Sequence, residues 1–413
     1  MKTDLDNLMK LQDIDALLIF GGAQHNPAMV YFVGTAHVSD AILIKKRAAE
    51  AVLFHYPMER DEAAKSGLPL VSMSKYPRSE YLKQSGGDPL EAYALMLKAM
   101  LEDLDLSQGR VALYGKDEIG AFYAVIKRLQ EIMPELVFVG FLYDEILLGA
   151  MRTKDSHEIE RIRTMGKITT SVVARTADYI TGHKTKDGTV IHADGTPVTI
   201  GEVKNLINLW LAESGAENPE GTIFAIGRDA GIPHSIGAPQ DALRLGQTIV
   251  YDIYPCEAGG GYFYDFTRTW SLGYATDEAQ QLYDQVKQVY DTLYRELVLN
   301  APFHHYQQRT CELFEAMGHP TIKSDPKTEQ GYVHSLGHGI GLRVHENPSA
   351  STYNPSPTDI LSPGSVFTLE PGLYYPDRGM GVRIEDSLVV TPNGNFEILA
   401  DFPKELVLPM KSA

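Results

Sequence analysis

The first third of the chain alternates between short apolar runs and helical patterns. Apolar runs of strand length lie at Ala16–Phe20, Ala41–Ile44, Ala51–Phe54, Val111–Tyr114 and Val137–Val139. Apolar residues recur at helical spacing between Leu90 and Leu101, and a second helix is predicted near residues 121–132. This alternation of strands and helices predicts an independent α/β domain over residues 1–150. Its sequence contains no cluster of catalytic residue types.

The pattern changes after a predicted boundary near residues 147–154, and the domain from 151 to 413 is expected to mix helices with strands. Helices are predicted at about residues 156–180, 200–211 and 277–297. Asp155 can cap the first of these, and residues 199–202 have the form of a capping box for the second. Two Asp-Gly pairs flank residues 189–191 and predict a small hairpin or flap. Strands are expected to dominate beyond residue 297.

The segment Ile249–Trp270 has the clearest strand pattern. Apolar and polar residues alternate on both sides of Gly259–Gly261, which predicts a β-hairpin with a glycine turn. Asp252 lies on one arm and Asp265 on the other. A carboxylate within an apolar strand is costly unless it is paired, and two facing carboxylates repel each other unless a cation lies between them. The hairpin therefore predicts a metal site.

Three histidines, His334, His338 and His345, follow within twelve residues. The glycines between them let the backbone approach a bound group. The spacing of the first two imitates a zincin motif, but Ser335 stands where that motif requires glutamate, so a zincin is excluded. These histidines are candidate ligands for the metal site that the hairpin predicts.

Two further carboxylates lie in apolar strand contexts. Glu370 ends the predicted strand 366–370 before a Pro-Gly break, and Glu385 lies in the predicted strand 381–386. Each of them alone would more often be a structural or edge residue. Their occurrence together with two aspartates and a histidine makes a shared metal site the better explanation.

Composition narrows the class of protein. The sequence has 413 residues with 37 basic and 54 acidic side chains, so its net charge is 37 − 54 = −17. So acidic a chain is not expected to bind nucleic acid or an anionic membrane. No apolar run reaches the length of a transmembrane helix. Two cysteines and an N-terminus without an apolar signal segment indicate a cytoplasmic protein.

Five side chains resemble, in type and order, the metal ligands of the creatinase/aminopeptidase P/prolidase family, the M24 metallopeptidases. They are Asp252, Asp265, His338, Glu370 and Glu385. The resemblance covers essentially the whole chain. It implies an α+β protein in which a creatinase-like α/β N-terminal domain, residues 1–150, precedes a pita-bread catalytic domain, residues 151–413. One departure is the interval between the two aspartates, which is two residues longer than usual because of the glycine turn.

The resemblance implies two divalent metal ions, with manganese first and cobalt, zinc or iron as alternatives. One imidazole and four carboxylates suit these metals better than magnesium or calcium. Two divalent ions would also neutralise the four negative charges. By resemblance, Asp265 and Glu385 bridge the two ions, Asp252 completes one of them, and His338 with Glu370 completes the other.

The resemblance also implies roles for residues around the metals. His234 matches a histidine that faces the substrate, His345 matches one that contacts the scissile carbonyl or moves a proton, and His334 lines the same pocket. For His334 a structural role is the main alternative. Arg383 is two residues from Glu385 on a predicted strand, so both point to one face and Arg383 is expected to orient a ligand carboxylate.

The function that the resemblance implies is removal of the N-terminal residue from peptides with proline second, by a homodimer. In many prolidases an arginine that binds the dipeptide carboxylate follows the equivalent of His345, whereas residues 346–360 here contain no Lys or Arg. This difference favours an aminopeptidase over a Xaa-Pro dipeptidase, although Arg343, Arg378 or a partner subunit could supply the cation. A non-catalytic binding protein of the same fold is a third alternative, which the intact ligand set disfavours.

Overall fold

The computed structural model describes residues 4–410, and the chain divides into two compact units. The first unit runs through Met151 and includes Gly259–Gly261. The second unit comprises Arg152–Ala258 and the chain from Tyr262 onward. None of the helices in residues 4–410 is both long enough and apolar enough to cross a bilayer.

The first unit is a sheet covered by helices. Its strands are β1 (Ala16–Phe20), β2 (Ala41–Lys46), β3 (Ala51–His55), β4 (Leu70–Ser72), β5 (Gly109–Gly115) and β6 (Leu136–Val139). Its helices are α1 (Leu5–Leu11), α2 (Pro27–Val33), α3 (Arg60–Ala64), α4 (Arg78–Gln84), α5 (Pro89–Glu102), α6 (Ile119–Ile132) and α7 (Leu147–Met151). Within the described residues the strand order is β4-β3-β2-β1-β5-β6, with parallel and antiparallel pairs.

Every strand and both helices that the pattern predicts in this unit are confirmed. Strand β1 lies inside the sheet with all of its side chains buried, which is why its sequence is a continuous apolar run. Strand β4 and the helices α1 to α4 and α7 were not predicted, because none is longer than seven residues. A repeat of 3.6 residues cannot be recognised reliably over one or two turns.

The second unit contains four α-helices among its described residues. They are α8 (Ser156–Thr181), α9 (Ile200–Glu213), α10 (Asp277–Glu296) and α11 (His304–Ala316). Two of them, α8 and α10, are the longest described in the chain. Asp155 caps α8, as predicted. Glu158 completes a reciprocal capping box, which was not predicted. At α9 only half of the predicted capping box forms, because the Glu202 side chain binds Tyr179 and His192 instead of the backbone. Strands dominate after residue 297 as expected, but helix α11 was not predicted.

The strands of the second unit form several small sheets. They are β7 (Lys184–Lys186), β8 (Thr189–Ile191), β9 (Ala216–Glu217), β10 (Thr222–Ile226), β11 (Leu245–Gly246), β12 (Thr248–Ile253), β13 (Cys256–Glu257), β14 (Phe266–Ala275), β15 (His338–Gly339), β16 (Glu346–Ser349), β17 (Val366–Leu369), β18 (Gly372–Tyr375), β19 (Met380–Arg383), β20 (Asp386–Val390), β21 (Phe396–Ile398) and β22 (Val407–Leu408). One sheet has the order β10-β12-β14-β11, with β22 also paired to β14. Another has the order β16-β15-β17-β20-β21, and α10 and α11 share its apolar core.

The predicted glycine hairpin is confirmed. Strands β12 and β14 are antiparallel, with Asp252 opposite Thr267. The same register continues beyond the two strands to Cys256 and Phe263, so the turn falls at the glycines. Asp265 is two residues from Thr267, and residues two apart on a strand share a face. Asp252 and Asp265 therefore face the same side of the hairpin.

The hairpin predicted around residues 189–191 is present as β7 and β8. It is not a free flap. The N–H of Val190 donates to the carbonyl of Leu243 at 2.9 Å, and the N–H of Val198 donates to the carbonyl of Val190, also at 2.9 Å. These backbone hydrogen bonds join the second strand of the hairpin to two neighbouring segments.

Candidate metal centre

The five predicted ligands lie at the ends of strands in the second unit. Asp252 is on β12, Asp265 directly precedes β14, His338 is on β15 and Glu370 directly follows β17. The sequence placed Glu385 inside a strand, but it lies between β19 and β20, where it forms an isolated bridge with Thr267 of β14. At Glu385 the chain passes from the sheet of β19 to the sheet of β20. The alternation of residues along the chain does not show this change of sheet.

The structure brings these side chains together. Asp265, His338 and Glu385 each offer one ligand atom, and the three atoms lie within 4.8 Å of one another. His338 Nε2 is 3.7 Å from Asp265 Oδ2 and 3.4 Å from Glu370 Oε1. Asp252 is held in the same cluster through Arg383, which also bonds Thr267 beside Glu385. All four carboxylates and the imidazole thus surround one small volume.

Hydroxyl and backbone groups fix one oxygen of most of the carboxylates. Thr267 Oγ1 donates to Glu385 Oε2 at 2.7 Å, and Thr368 Oγ1 donates to Glu370 Oε1 at 3.2 Å. The second oxygen of Glu385, Oε1, is buried and has no hydrogen-bond partner among the described residues, and the same holds for Asp252 Oδ1. Buried acceptors are rarely left unpaired. Two orphaned carboxylate oxygens in one cluster are the lone pairs that a metal ion would use.

The tautomer of His338 fits a metal ligand. Its Nδ1 lies 3.0 Å from the carbonyl oxygen of Gly339, which can only accept, so Nδ1 carries the proton. Nε2 therefore presents its lone pair toward the oxygens of Asp265 and Glu370. Burial lowers the pKa of His338 to about 3, which keeps the ring neutral. When the carboxylates are ionised, their oxygens and Nε2 face each other as lone-pair atoms, and a cation resolves that repulsion.

The electrostatics of the carboxylates lead to the same conclusion. Burial raises the pKa of Asp265 well above its usual range, and the negative charges of Asp252 and Glu370 raise it further. Burial likewise raises the pKa of Glu385 well above the usual range and that of Glu370 to about 8, although the charge of Arg383 opposes both shifts. Desolvated carboxylates at this spacing cannot all stay ionised without cations. The donor set and its charge suit divalent ions such as manganese, cobalt, zinc or iron.

Arg383 is buried and connects three parts of the centre. It donates to Asp252, to Thr267 Oγ1 at 3.2 Å, to the Tyr374 hydroxyl at 2.7 Å and to the carbonyl of Pro233 at 3.2 Å. The contact with Asp252 is the ion pair through which Arg383 orients that carboxylate. It fixes one oxygen of Asp252 and leaves the other, Oδ1, free.

His334 is held by both of its ring nitrogens. The Tyr374 hydroxyl accepts from Arg383, so it donates its own proton to His334 Nε2 at 2.9 Å. His334 Nδ1 lies 2.7 Å from the carbonyl of Ser335. Burial lowers the pKa of His334 to about 3, and the charge of Arg383 contributes. Neither ring nitrogen of His334 is free, so its position suits a structural part in the pocket wall.

His345 and His234 are the exposed histidines near the centre. The ring centroid of His345 is 4.3 Å from that of His338, and its ring nitrogens make no hydrogen bond with any described residue. Partial burial lowers the pKa of His345, and the charge of His234 contributes to the shift. His234 follows Pro233, whose carbonyl is held by Arg383. Both imidazoles are therefore available to a ligand that enters beside His338.

Some residues of the centre were missed in the sequence. They are Thr267, Thr368 and Tyr374. The two threonines stand two residues from Asp265 and Glu370, so strand alternation already places each on the face of a ligand. That signal existed, but a threonine in a strand is too common to attract notice. For Tyr374 the sequence holds no signal, because its hydroxyl meets Arg383 and His334 only after three segments have folded together.

A centre of buried carboxylates, a neutral imidazole and orphaned oxygens defines a protein that binds divalent cations. Residues 160–392 match the sequence profile of Metallopeptidase family M24, and the chain belongs to this family. The protein is a metallopeptidase, and family membership implies divalent metal ions. The α+β pita-bread fold is confirmed by solved structures that cover almost the whole chain.

Individual relatives extend the comparison over both units. The chain is 27% identical over 409 residues to a Xaa-Pro dipeptidase of Pyrococcus furiosus, covering 95% of this chain and 97% of that one. Among solved structures, a dipeptidase from Pyrococcus horikoshii has a TM-score of 0.73 at 23% identity and covers 98% of each chain. An X-Pro aminopeptidase from Thermotoga maritima also has a TM-score of 0.73, at 24% identity, covering 97% of this chain and 99% of that chain.

Proposed function

We propose that the protein is a dinuclear Xaa-Pro aminopeptidase, which removes the N-terminal residue from peptides with proline in second position. The observation that carries the proposal is the cluster of lone-pair atoms around His338. Two carboxylate oxygens of this cluster, Asp252 Oδ1 and Glu385 Oε1, have no hydrogen-bond partner in the described chain. The names of the full-length relatives supply the preference for proline. A non-catalytic binding protein is the weaker alternative, because it would have no need to retain this costly cluster.

The residues of the proposed centre have separate tasks. Two divalent ions, manganese being the first candidate, would be held by Asp252, Asp265, His338, Glu370 and Glu385. When bound, such ions polarise the scissile carbonyl and lower the pKa of the attacking water.

The surrounding side chains act on the substrate and on the ligands. His345 has free ring nitrogens, so it can donate a hydrogen bond to the scissile carbonyl oxygen or move a proton to the leaving amine. His234 can contact the substrate from the neighbouring turn. Arg383 fixes one oxygen of Asp252, and Tyr374 with His334 fixes Arg383 in turn. The site is therefore organised before the substrate binds.

The assembly is part of the same proposal. Residues 1–150 would form a creatinase-like N-terminal domain, and residues 151–413 the catalytic domain. The support is the six-stranded sheet of the first unit, which has its own apolar core. We expect a homodimer that works in the cytoplasm, where the two free, buried cysteines would remain reduced.

The arginines near the centre favour an aminopeptidase over a dipeptidase. A dipeptidase must bind the substrate carboxylate with a cation. Residues 346–360 contain no Lys or Arg, and Arg378 is already paired with Glu278 and stacked on Tyr375 at 4.6 Å. Arg343 remains as a source of the cation, because it is exposed, two residues from His345, and its guanidinium pairs with no described residue. The dipeptidase alternative therefore depends on Arg343 or on a cation from a partner subunit, and the name of the Pyrococcus relative keeps it open.

A substrate panel tests the proposal. Xaa-Pro dipeptides are compared with Xaa-Pro-Yaa tripeptides and longer peptides, with manganese, cobalt and zinc added separately. The account expects a higher kcat/KM for peptides that extend beyond proline, and little effect of Arg343→Ala on them. A preference for dipeptides that Arg343→Ala abolishes would establish the dipeptidase instead. No hydrolysis of any Xaa-Pro peptide with any of the metals would show that the proposed function is wrong.

A further inference from the structure

A buried ion pair lies next to the strand that carries His338, because Glu346 stands opposite Gly339. Lys154 Nζ is 2.7 Å from Glu346 Oε2, and the two side chains are 1% and 0% exposed. A buried ion pair is seldom worth its desolvation, and well-packed apolar side chains often replace one without loss of stability. Such a pair is therefore more easily explained by a geometric task than by stability.

Glu346 closes the loop that carries His345. Residues 340–345 connect β15 to β16, and Glu346 stands opposite Gly339 at the base of this loop. Its Oε1 accepts the N–H of Arg343 at 3.1 Å, so the carboxylate reaches back across the loop to its backbone. Lys154 holds the other oxygen. The carboxylate thus joins the loop backbone to the segment that precedes α8.

The loop is packed closely around this carboxylate. A Cβ atom at Gly341 would lie 2.5 Å from Glu346 Oε2 and 2.8 Å from Lys154 Cε. The N–H of Gly341 also donates to the carbonyl of Arg343 at 3.1 Å. Glycine is therefore required at position 341 by the space that the ion pair occupies, and not by an unusual backbone angle.

We propose that the Lys154–Glu346 ion pair is a positioning device for the imidazole of His345. The inference rests on the proposed function, in which His345 acts on the substrate. His345 makes no hydrogen bond of its own within the described residues, so the loop backbone, together with the ring contact to His338, sets where its ring lies. Neither Lys154 nor Glu346 is one of the five predicted metal ligands. Each acts through the loop.

The test is a cycle of variants that removes the charges together. Lys154→Met alone would leave a buried carboxylate without its cation and is expected to unfold the chain, so it is combined with Glu346→Gln. The double variant should lower kcat on an Xaa-Pro peptide by about 10- to 100-fold, because small misplacements of a catalytic group have effects of that size. Its metal content should stay unchanged. In a His345→Ala background the same double change should alter kcat by less than about twofold.

A matched control comes from the first unit. Lys45 is 2% exposed and paired with Asp6 in the first unit, so Lys45→Met removes a buried lysine charge outside the unit that carries the His345 loop. It should leave kcat unchanged. An equal loss of kcat with and without His345, or a loss of metal, would overturn the inference.

A second readout does not depend on turnover. The imidazole nitrogen signals of His345 in a ¹⁵N-histidine NMR spectrum are assigned by their loss in His345→Ala. They should shift in the Lys154→Met/Glu346→Gln variant and stay in place in Lys45→Met. Unmoved signals in the double variant would overturn the inference, whatever the activity of the protein. A wild-type protein that hydrolyses no Xaa-Pro peptide would count against the proposed function alone.

Discussion

Replacement of Arg383 by methionine is the sharpest test of the electrostatics of the centre. The Arg383 side chain is 3% exposed and its partner Asp252 is 11% exposed. Removing one partner of a buried pair leaves the other charge without compensation, which costs about 3–5 kcal/mol. Arg383→Met should therefore lower the stability of the metal-free second unit by about that amount.

Arg378 provides a matched control in the same region. It also pairs with a carboxylate, that of Glu278, but the two side chains are 42% and 52% exposed. It lies over the ring of Tyr375, as Arg383 lies near the ring of Tyr374. Exposed ion pairs contribute about 0–1 kcal/mol, so Arg378→Met should have only a small effect.

Tryptophan fluorescence during urea unfolding is the appropriate assay. The chain has two tryptophans, Trp210 and Trp270, and both lie in the second unit. Metal must be removed with a chelator, because a bound ion would stabilise the folded state by mass action. With a slope of about 3 kcal/mol per molar urea, Arg383→Met should lower the midpoint by about 1 M or more, and Arg378→Met by about 0.3 M or less. Equal shifts would refute the argument from burial.

Three further predictions concern catalysis, packing and assembly. His345→Ala should lower kcat by about 100-fold while metal content stays unchanged, and a parallel loss of metal would make His345 structural. Gly166→Ala should lower the melting temperature, because the new Cβ would lie 2.7 Å from a carbon of the Tyr264 ring. Overpacking typically destabilises a protein by about 1–3 kcal/mol, whereas the better helix propensity of alanine contributes about 1 kcal/mol. A higher melting temperature would contradict this prediction. Light scattering should give twice the 45.7 kDa chain mass, and a monomer at micromolar concentration would count against the dimer.

The sequence predicts the elements whose pattern is long and regular. Strand β1 appears at the predicted residues because an inner strand buries both faces and becomes a continuous apolar run. The hairpin from Ile249 to Trp270 could be predicted in register, because alternation and a glycine turn together leave few other pairings. That register alone places Asp252 and Asp265 on one face.

Other elements depend on contacts that local patterns do not show. Helix α11 begins His304-His305 and buries Tyr306, Thr310, Cys311 and Phe314, which have helical spacing but are weakly apolar or separated by polar residues. Glu385 lies where the chain leaves the β18–β19 pair for another sheet, although the alternation around it is unbroken. In both cases tertiary packing decides the conformation rather than local preference.

The supporting groups of the centre were the hardest to predict. One of them, Tyr374, is far in sequence from His334, which it holds. The other two, Lys154 and Glu346, act through a loop backbone. The ligands themselves could be predicted because several carboxylates stand in apolar strand contexts, where a carboxylate without a partner is rare, and a histidine accompanies them. A buried tyrosine is common, so the function of Tyr374 can be inferred only when its neighbours in the folded chain are known.

Metal content tests the central claim most directly. Protein loaded with excess manganese or cobalt and then freed of unbound ions should approach two ions per chain, because four carboxylates and one imidazole converge on one volume. Glu385→Ala, which removes one of the two proposed bridging ligands, should abolish the pair. Wild-type protein that is fully active with a single ion, or a Glu385→Ala variant that still binds two, would contradict the account.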